Sequence, residues 1–157
     1  MAAYHTSQPS ADMASYKDLT KFKLFLSDTG LFTTLMFKNK AFTENDIYKK
    51  LLSDKISANL GYLFENLTAQ ILATKGYELY YHTFSNKDKG INYEIDFLIA
   101  KSNKVVPIEV KSSNYKRHAS LDAFCQKYSA QIAEKYTKDF QKEQDIRLLP
   151  IYMSPII

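Results

Sequence analysis

The two runs Tyr93-Glu94-Ile95-Asp96-Phe97-Leu98-Ile99-Ala100 and Val105-Val106-Pro107-Ile108-Glu109-Val110-Lys111-Ser112, joined by a turn at Ser102-Asn103, decide how this chain folds. Both runs are rich in β-branched and aromatic residues, and the short polar link between them is typical of a hairpin. Successive side chains of a strand face opposite ways, so Glu109 and Lys111 share one face while Ile108 and Val110 take the other. Antiparallel pairing of the two runs brings Asp96, flanked by Ile95 and Phe97, towards Glu109.

Upstream, residues 77–84 are another aromatic-rich strand, separated from the hairpin by the polar loop 85–90. Three strands with short links make an antiparallel meander. Before them, Leu60, Leu63, Phe64, Leu67 and Ile71 repeat at helical spacing, which predicts a helix over 58–75 that Gly76 ends. Glu65 lies off this apolar stripe, on the side of Gly61, Thr68 and Leu72. These small neighbours let that side approach the sheet. Earlier still, 22–26 is extended, Ser27 or Asp28 caps a helix to Phe37, and Thr43 with Asp46 starts another.

Downstream, 121–128 is helical and 146–153 is a closing strand. Pro150 inside that strand calls for an edge or a bulge. Residues 129–142 favour a helix by propensity, yet a helix–meander–helix–strand order wants a strand near 131–136, and the strand is preferred. Residues 1–20 are small and polar at the outset and are taken as a flexible leader, of the kind expression leaves behind. Residues 21–157 are taken as a single domain.

Composition narrows the function classes. A chain of 157 residues, 45% apolar and 24% charged, suits one domain with its own core. No apolar run spans a bilayer and no secretory layout opens the chain, which predicts a cytoplasmic protein with no membrane partner. Its single cysteine excludes an internal disulfide, and 4 glycines leave no phosphate loop. A net charge of +4 suits DNA only weakly. The 12 tyrosines and 10 phenylalanines mostly fill a core.

Two converging carboxylates, Asp96 and Glu109, suit a hard cation such as Mg²⁺ or Mn²⁺, which prefers oxygen ligands and keeps several waters. Lys111 on the same face can orient an attacking water or stabilise transition-state charge. Glu65 completes the constellation, helping bind a second cation or holding Lys111. Taken singly, each residue has a plainer explanation: Glu-x-Lys marks any half-exposed strand, and Lys111 can simply neutralise Asp96. The order Glu, Asp, Glu-x-Lys on helix, strand and strand favours a shared site.

The sequence also resembles a known family. The resemblance rests on Phe25-Leu26-Ser27-Asp28-Thr29-Gly30-Leu31, Gly61-Tyr62-Leu63-Phe64-Glu65-Asn66, Glu94-Ile95-Asp96-Phe97 and Pro107-Ile108-Glu109-Val110-Lys111-Ser112. It extends to Ser120-Leu121 with Phe124 and Tyr128, and to Leu149-Pro150-Ile151-Tyr152. These look like the domain of unknown function carboxy-terminal to the AAA-type ATPase module of bacterial and archaeal ATP-binding proteins. The resemblance runs from about residue 21 to 157. It implies an α/β fold with a restriction-endonuclease-like core of the PD-(D/E)XK nuclease type, with extra amino-terminal helices. It also implies Glu65, Asp96, Glu109 and Lys111 as nuclease-type catalytic residues, and an ATPase module that normally shares the chain as partner. No Walker loop is present, so the chain reads as the carboxy-terminal domain of such a protein.

Other residues invite plainer roles. His82 and His118 are expected to hydrogen-bond or lie at the surface, Asp28 to cap a helix, and Cys125 to fill space. Asn86-Lys87-Asp88-Lys89 and Lys116-Arg117 suit a solvated surface and could touch a phosphate backbone. Two functions are therefore expected: a Mg²⁺-dependent nuclease-like or DNA-binding domain, or an inactive regulatory module docked on the ATPase.

Overall fold

The computed structural model describes residues 1–38, 49, 57–86, 90–111, 118–130, 133–137, 141–143, 146–151 and 153. Strand β1 (Ala2–Thr6) leads through a 3₁₀ turn (Met13–Tyr16) to β2 (Lys17–Leu24) and helix α1 (Thr29–Phe37). Helix α2 (Ser57–Thr74) precedes the strands β3 (Leu79–Asn86), β4 (Ile91–Lys101) and β5 (Lys104–Val110). Helix α3 (Ala119–Tyr128) and strands β6 (Ala133–Thr137), β7 (Gln141–Glu143) and β8 (Ile146–Pro150) follow. The strands form one mixed sheet in the order β2-β1-β3-β4-β5-β6-β8-β7. The architecture is mixed α/β, with α2 on one face and α3 on the other.

The meander forms as its sequence requires. β3 pairs antiparallel with β4, and β4 with β5. Ser102 and Asn103 both adopt positive φ, 48° and 63°. This left-handed pair matches the twist of a two-residue hairpin turn. Asp28 caps α1, its Oδ1 accepting the Leu31 N–H at 2.8 Å. Gly76, at φ 84°, takes the left-handed position that closes α2.

The alternation of β4 and β5 builds two cores. Phe97, Ile99, Val106, Ile108 and Val110 pack with Ala69 and Leu72 of α2. Ile95 and Leu98 pack with Leu121 and Phe124 of α3. Parallel pairing of β5 with β6, and of β6 with β8, carries the sheet onward. Residues 133–137 are thus a strand despite their helical propensity, because both neighbouring strands offer hydrogen-bonding edges there.

Four expectations change. Residues 1–20 are not a leader outside the fold: β1 lies between β2 and β3, with Ala3 and Thr6 fully buried. A five-residue run of small and polar side chains carries too little local signal, and long-range pairing decides its place. Of the expected extended stretch 22–26, residues 22–24 end the longer β2, and Phe25 and Leu26 lie beyond it. Strand β8 is interior, yet β7 reaches only Leu148, so Pro150 lies beyond the second ladder and its missing N–H costs nothing there. Gly61 is not needed for close packing, since a Cβ added there meets nothing within 4 Å. Thr68 and Leu72 do lie buried on the sheet side. The helix expected to start at Thr43 lies outside the described residues.

Candidate active site

Position along β4 is set by a bulge. Tyr80 pairs with Leu98 but His82 with Ile95, so Asp96 and Phe97 together oppose Tyr81. Such an insertion bends a strand and re-aims its side chains. The β4–β5 ladder runs from Lys101↔Lys104 to Phe97↔Ile108, and beyond it the Asp96 side chain takes over. Asp96 Oδ2 accepts the Val110 N–H at 2.8 Å. Since a strand N–H points along the sheet, the carboxylate lies in the gap between the two strands rather than squarely on one face.

Glu109 and Lys111 follow the alternation. Their neighbours Ile108 and Val110 belong to the α2-side core, so both side chains leave on the α3 side. There the Glu109 carboxylate, 3% exposed, pairs with the Lys111 ammonium at 2.7 Å. Ser120 of α3 comes to 3.5 Å from the same oxygen, Oε1. The other oxygen, Oε2, is buried and has no hydrogen-bond partner among the described residues. A buried carboxylate oxygen without a hydrogen bond is costly.

Glu65 lies on α2, which is anchored by the adjacent residue. Asn66, 2% exposed, accepts the Leu26 N–H at 2.8 Å and donates to the Leu26 carbonyl at 3.1 Å. Its amide also donates to Thr29 Oγ1, which in turn donates to Gln70 Oε1 at 2.6 Å. This latch fixes the helix that carries Glu65. Sequence reasoning missed it, although a mid-helix asparagine is itself a signal of a side-chain bond to backbone.

The electrostatics tie the four residues together. Burial pushes the Asp96 carboxyl up to about 7, against the Val110 N–H that favours its charge, and the Glu65 and Glu109 charges add to the rise. Asp96 lies deep yet keeps some surface open. Burial also raises Glu65, which feels Lys23, Glu94 and Lys111. For Lys111, burial works against its charge, but the Glu109 hydrogen bond and the Glu109, Asp96 and Glu65 charges outweigh it and hold the ammonium up.

The donor set suits a hard cation. Among the described residues, no three His, Cys, Asp or Glu side chains form a group that could hold a metal. Mg²⁺ asks for less: one or two carboxylates, with water for the remainder. Asp96 and the unpartnered Oε2 of Glu109 offer that pair. Of the residues with plainer expected roles, His82 is buried and hydrogen-bonded, as a structural histidine should be. His118 flanks α3, with Asp122 at 3.7 Å. Cys125 packs partly buried against the α3-side core.

A family model described as Domain of unknown function (DUF4143) matches residues 60–153, which takes in Glu65, Asp96, Glu109 and Lys111. No curated protein and no solved structure matches the chain. Among the described residues, no helix is long and apolar enough to cross a membrane.

Proposed function

From the premise that the chain belongs to the DUF4143 family, we propose that it is a Mg²⁺- or Mn²⁺-dependent phosphodiesterase domain acting on DNA, built on a PD-(D/E)XK-type core. One observation carries this reading. The Glu109 carboxylate pairs with the Lys111 ammonium at 2.7 Å, the Asp96 and Glu65 charges also favour that ammonium, and a buried oxygen of Glu109 has no hydrogen-bond partner among the described residues. Such an excess of acceptors is what a divalent cation would satisfy.

Asp96 and Glu109 would hold the cation. A bound divalent cation polarises a phosphate oxygen and lowers the pKa of water. Lys111, kept charged by its carboxylate neighbours, donates to the attacking water or to the phosphoryl oxygens as charge builds on them. Glu65 keeps Lys111 in place through its charge. Asp96 would hold the cation as a carboxylate, and cation binding would release the proton that burial keeps there near neutral pH.

The test is a cleavage assay on plasmid and single-stranded DNA, with Mg²⁺, Mn²⁺ or EDTA. Cleavage should require the cation and fall by roughly 100-fold or more in Asp96→Asn and in Lys111→Met. Cleavage in EDTA, or at full rate in Asp96→Asn, would sink the proposal.

A second reading has its own observation. Leu19, Phe22 and Leu24 on the outermost strand β2 are 67%, 51% and 75% exposed. Leu31 and Leu35 of α1 are also exposed. Apolar side chains on an edge strand suit a protein interface, and an AAA-type ATPase module would be the partner. Under this reading wild-type protein cleaves nothing with either cation, and Leu24→Glu abolishes binding to that module.

A further inference from the structure

Beyond the pair Phe97↔Ile108 the sheet divides. From Ile91 to Ile95, β4 keeps β3 as its partner, whereas β5 from Ile108 to Val110 runs on beside β6. The bond from the Val110 N–H to Asp96 lies at the base of this fork. A side chain stands where the backbone ladder would have continued, so the two arms are held apart by its width. Glu109 and Lys111 belong to the β5 arm. The β4 arm carries a pair of charges of its own.

Tyr93 and Ile95 belong to the α3-side core, so Glu94 between them points to the α2 side. Lys23 of β2 comes to the same side. Its partner on β1 is Ala3, a member of the α2-side core, and its ammonium stands 5.0 Å from the Tyr81 ring centre. The small Ala3 side chain lets the lysine reach inward over the sheet, where it meets the Glu94 carboxylate. This ion pair links the outermost strand to the β4 arm, and its side chains keep contact with water, at 26% and 45% exposed. Glu65 of α2 feels both of them: burial raises its carboxyl, Lys23 lowers it, Glu94 raises it and Lys111 lowers it. Four carboxylates thus gather about the fork with two ammonium groups, one for each arm. An ion pair this open to water adds little to the fold, so Lys23 can change partner at small cost.

We infer that Lys23 is a second phosphate-binding residue of the site, held by Glu94 until DNA enters and then turned to a phosphate next to the one that Lys111 serves. Glu94 lies two residues from Asp96, roughly 7 Å along the strand. A cation at that distance is placed for a neighbouring phosphate rather than for the one attacked. Lysine suits the exchange, because its ammonium is a point charge with three rotatable donors on a flexible stem. Such a contact fixes the position of the strand and reads no sequence. The inference rests on the phosphodiesterase reading for its substrate, and adds to it the residue that holds the DNA on the β4 arm.

Binding of a labelled short DNA duplex, and of its separate strands, is measured on the full chain by anisotropy in Ca²⁺, a cation that fills oxygen sites. A phosphate contact and a structural strap between β2 and β4 differ in sign. Lys23→Gln should weaken binding roughly 5-fold and lower the salt-dependence slope by about one. Lys23→Arg should bind like wild type. Glu94→Gln should tighten binding by roughly 2- to 5-fold, because it frees Lys23 and removes a charge that repels phosphate. A wild-type affinity and slope in Lys23→Gln overturns the inference. Weaker binding in both Lys23→Gln and Glu94→Gln overturns it too, by making the pair a strap, and so does the absence of saturable binding in wild type. Cleavage in Mg²⁺ by a protein whose binding ignores Lys23 would sink only this inference. Lys23-dependent binding with no cleavage in Mg²⁺ or Mn²⁺ would sink only the phosphodiesterase reading.

Discussion

His82 and Glu109 are both buried polar side chains of one sheet, 3% and 2% exposed, and they are treated in opposite ways. Both nitrogens of His82 are bonded, to the Thr6 carbonyl and to the Tyr128 hydroxyl. It also stacks between His5 and Phe84, with rings 5.6 Å and 5.7 Å away. One oxygen of Glu109 holds Lys111, and the other meets no partner among the described residues. A completed network fixes a core, whereas an incomplete one keeps an unmet demand. The difference separates a histidine whose bonds are complete from a carboxylate with one bond unmade among the described residues.

The two centres also answer pH with opposite signs. Burial lowers the His82 pKa, so the stability it contributes is whole above about 6.5 and is lost as pH falls through its folded value. Burial raises Asp96 from 3.8 to about 7. Its contribution is whole below about 4 and is lost as pH rises through 7. The cation-free domain should therefore be most stable at mildly acidic pH, and an added divalent cation should help most above pH 7.

Four substitutions sharpen the contrast, each checked by melting or urea curves. Lys111→Met leaves the Glu109 carboxylate buried without a counter-charge. It should cost the cation-free domain about 3 kcal/mol, the low end for a broken buried pair, because Lys111 is 38% exposed and partly screened. If Mg²⁺ restores none of that loss and wild type cleaves nothing, Lys111 is a structural partner only. His82→Leu orphans two bonding groups and should cost roughly 2 kcal/mol at pH 8, with or without cation. A cation-dependent loss there would erase the division between the two centres.

Asp96→Asn should act the other way. Removing a buried charge should stabilise the cation-free domain at pH 8 by roughly 1–2 kcal/mol and by nothing at pH 4. It should also abolish the thermal shift that Mg²⁺ gives wild type. An equal shift in mutant and wild type would place the ion elsewhere. The smallest effect belongs to Ser120→Ala. At 3.5 Å its contact with Glu109 is at the limit of a hydrogen bond, so the loss should stay below about 0.5 kcal/mol. A larger loss would mean that the carboxylate depends on α3.

What could be read locally was read from local rules. Runs of aromatic and β-branched residues located β3, β4 and β5, Ser102-Asn103 located the turn between the last two, and the stripe of Leu63, Phe64, Leu67 and Ile71 located α2. The pairing of Glu109 with Lys111 also followed, because side chains two apart on a strand share a face. These features depend on neighbours within a few residues, and the sequence states them directly.

Contacts between distant segments decided the rest. β1 entered the sheet because β2 and β3 offered it two edges, though its own residues hardly favour a strand. The bulge that turns Asp96 into the gap beside Val110 arises from the register of β3 against β4, where Tyr80↔Leu98 gives way to His82↔Ile95. Asn66 became a latch only because α2 packs against the chain at Leu26. That one oxygen of Glu109 meets no partner among the described residues is likewise a matter of burial, not of residue type. By itself the sequence determined which side chains lie on which strand and helix. Only the tertiary structure decided which of their hydrogen-bonding demands were met, because burial and partners come from segments that lie far apart in the chain.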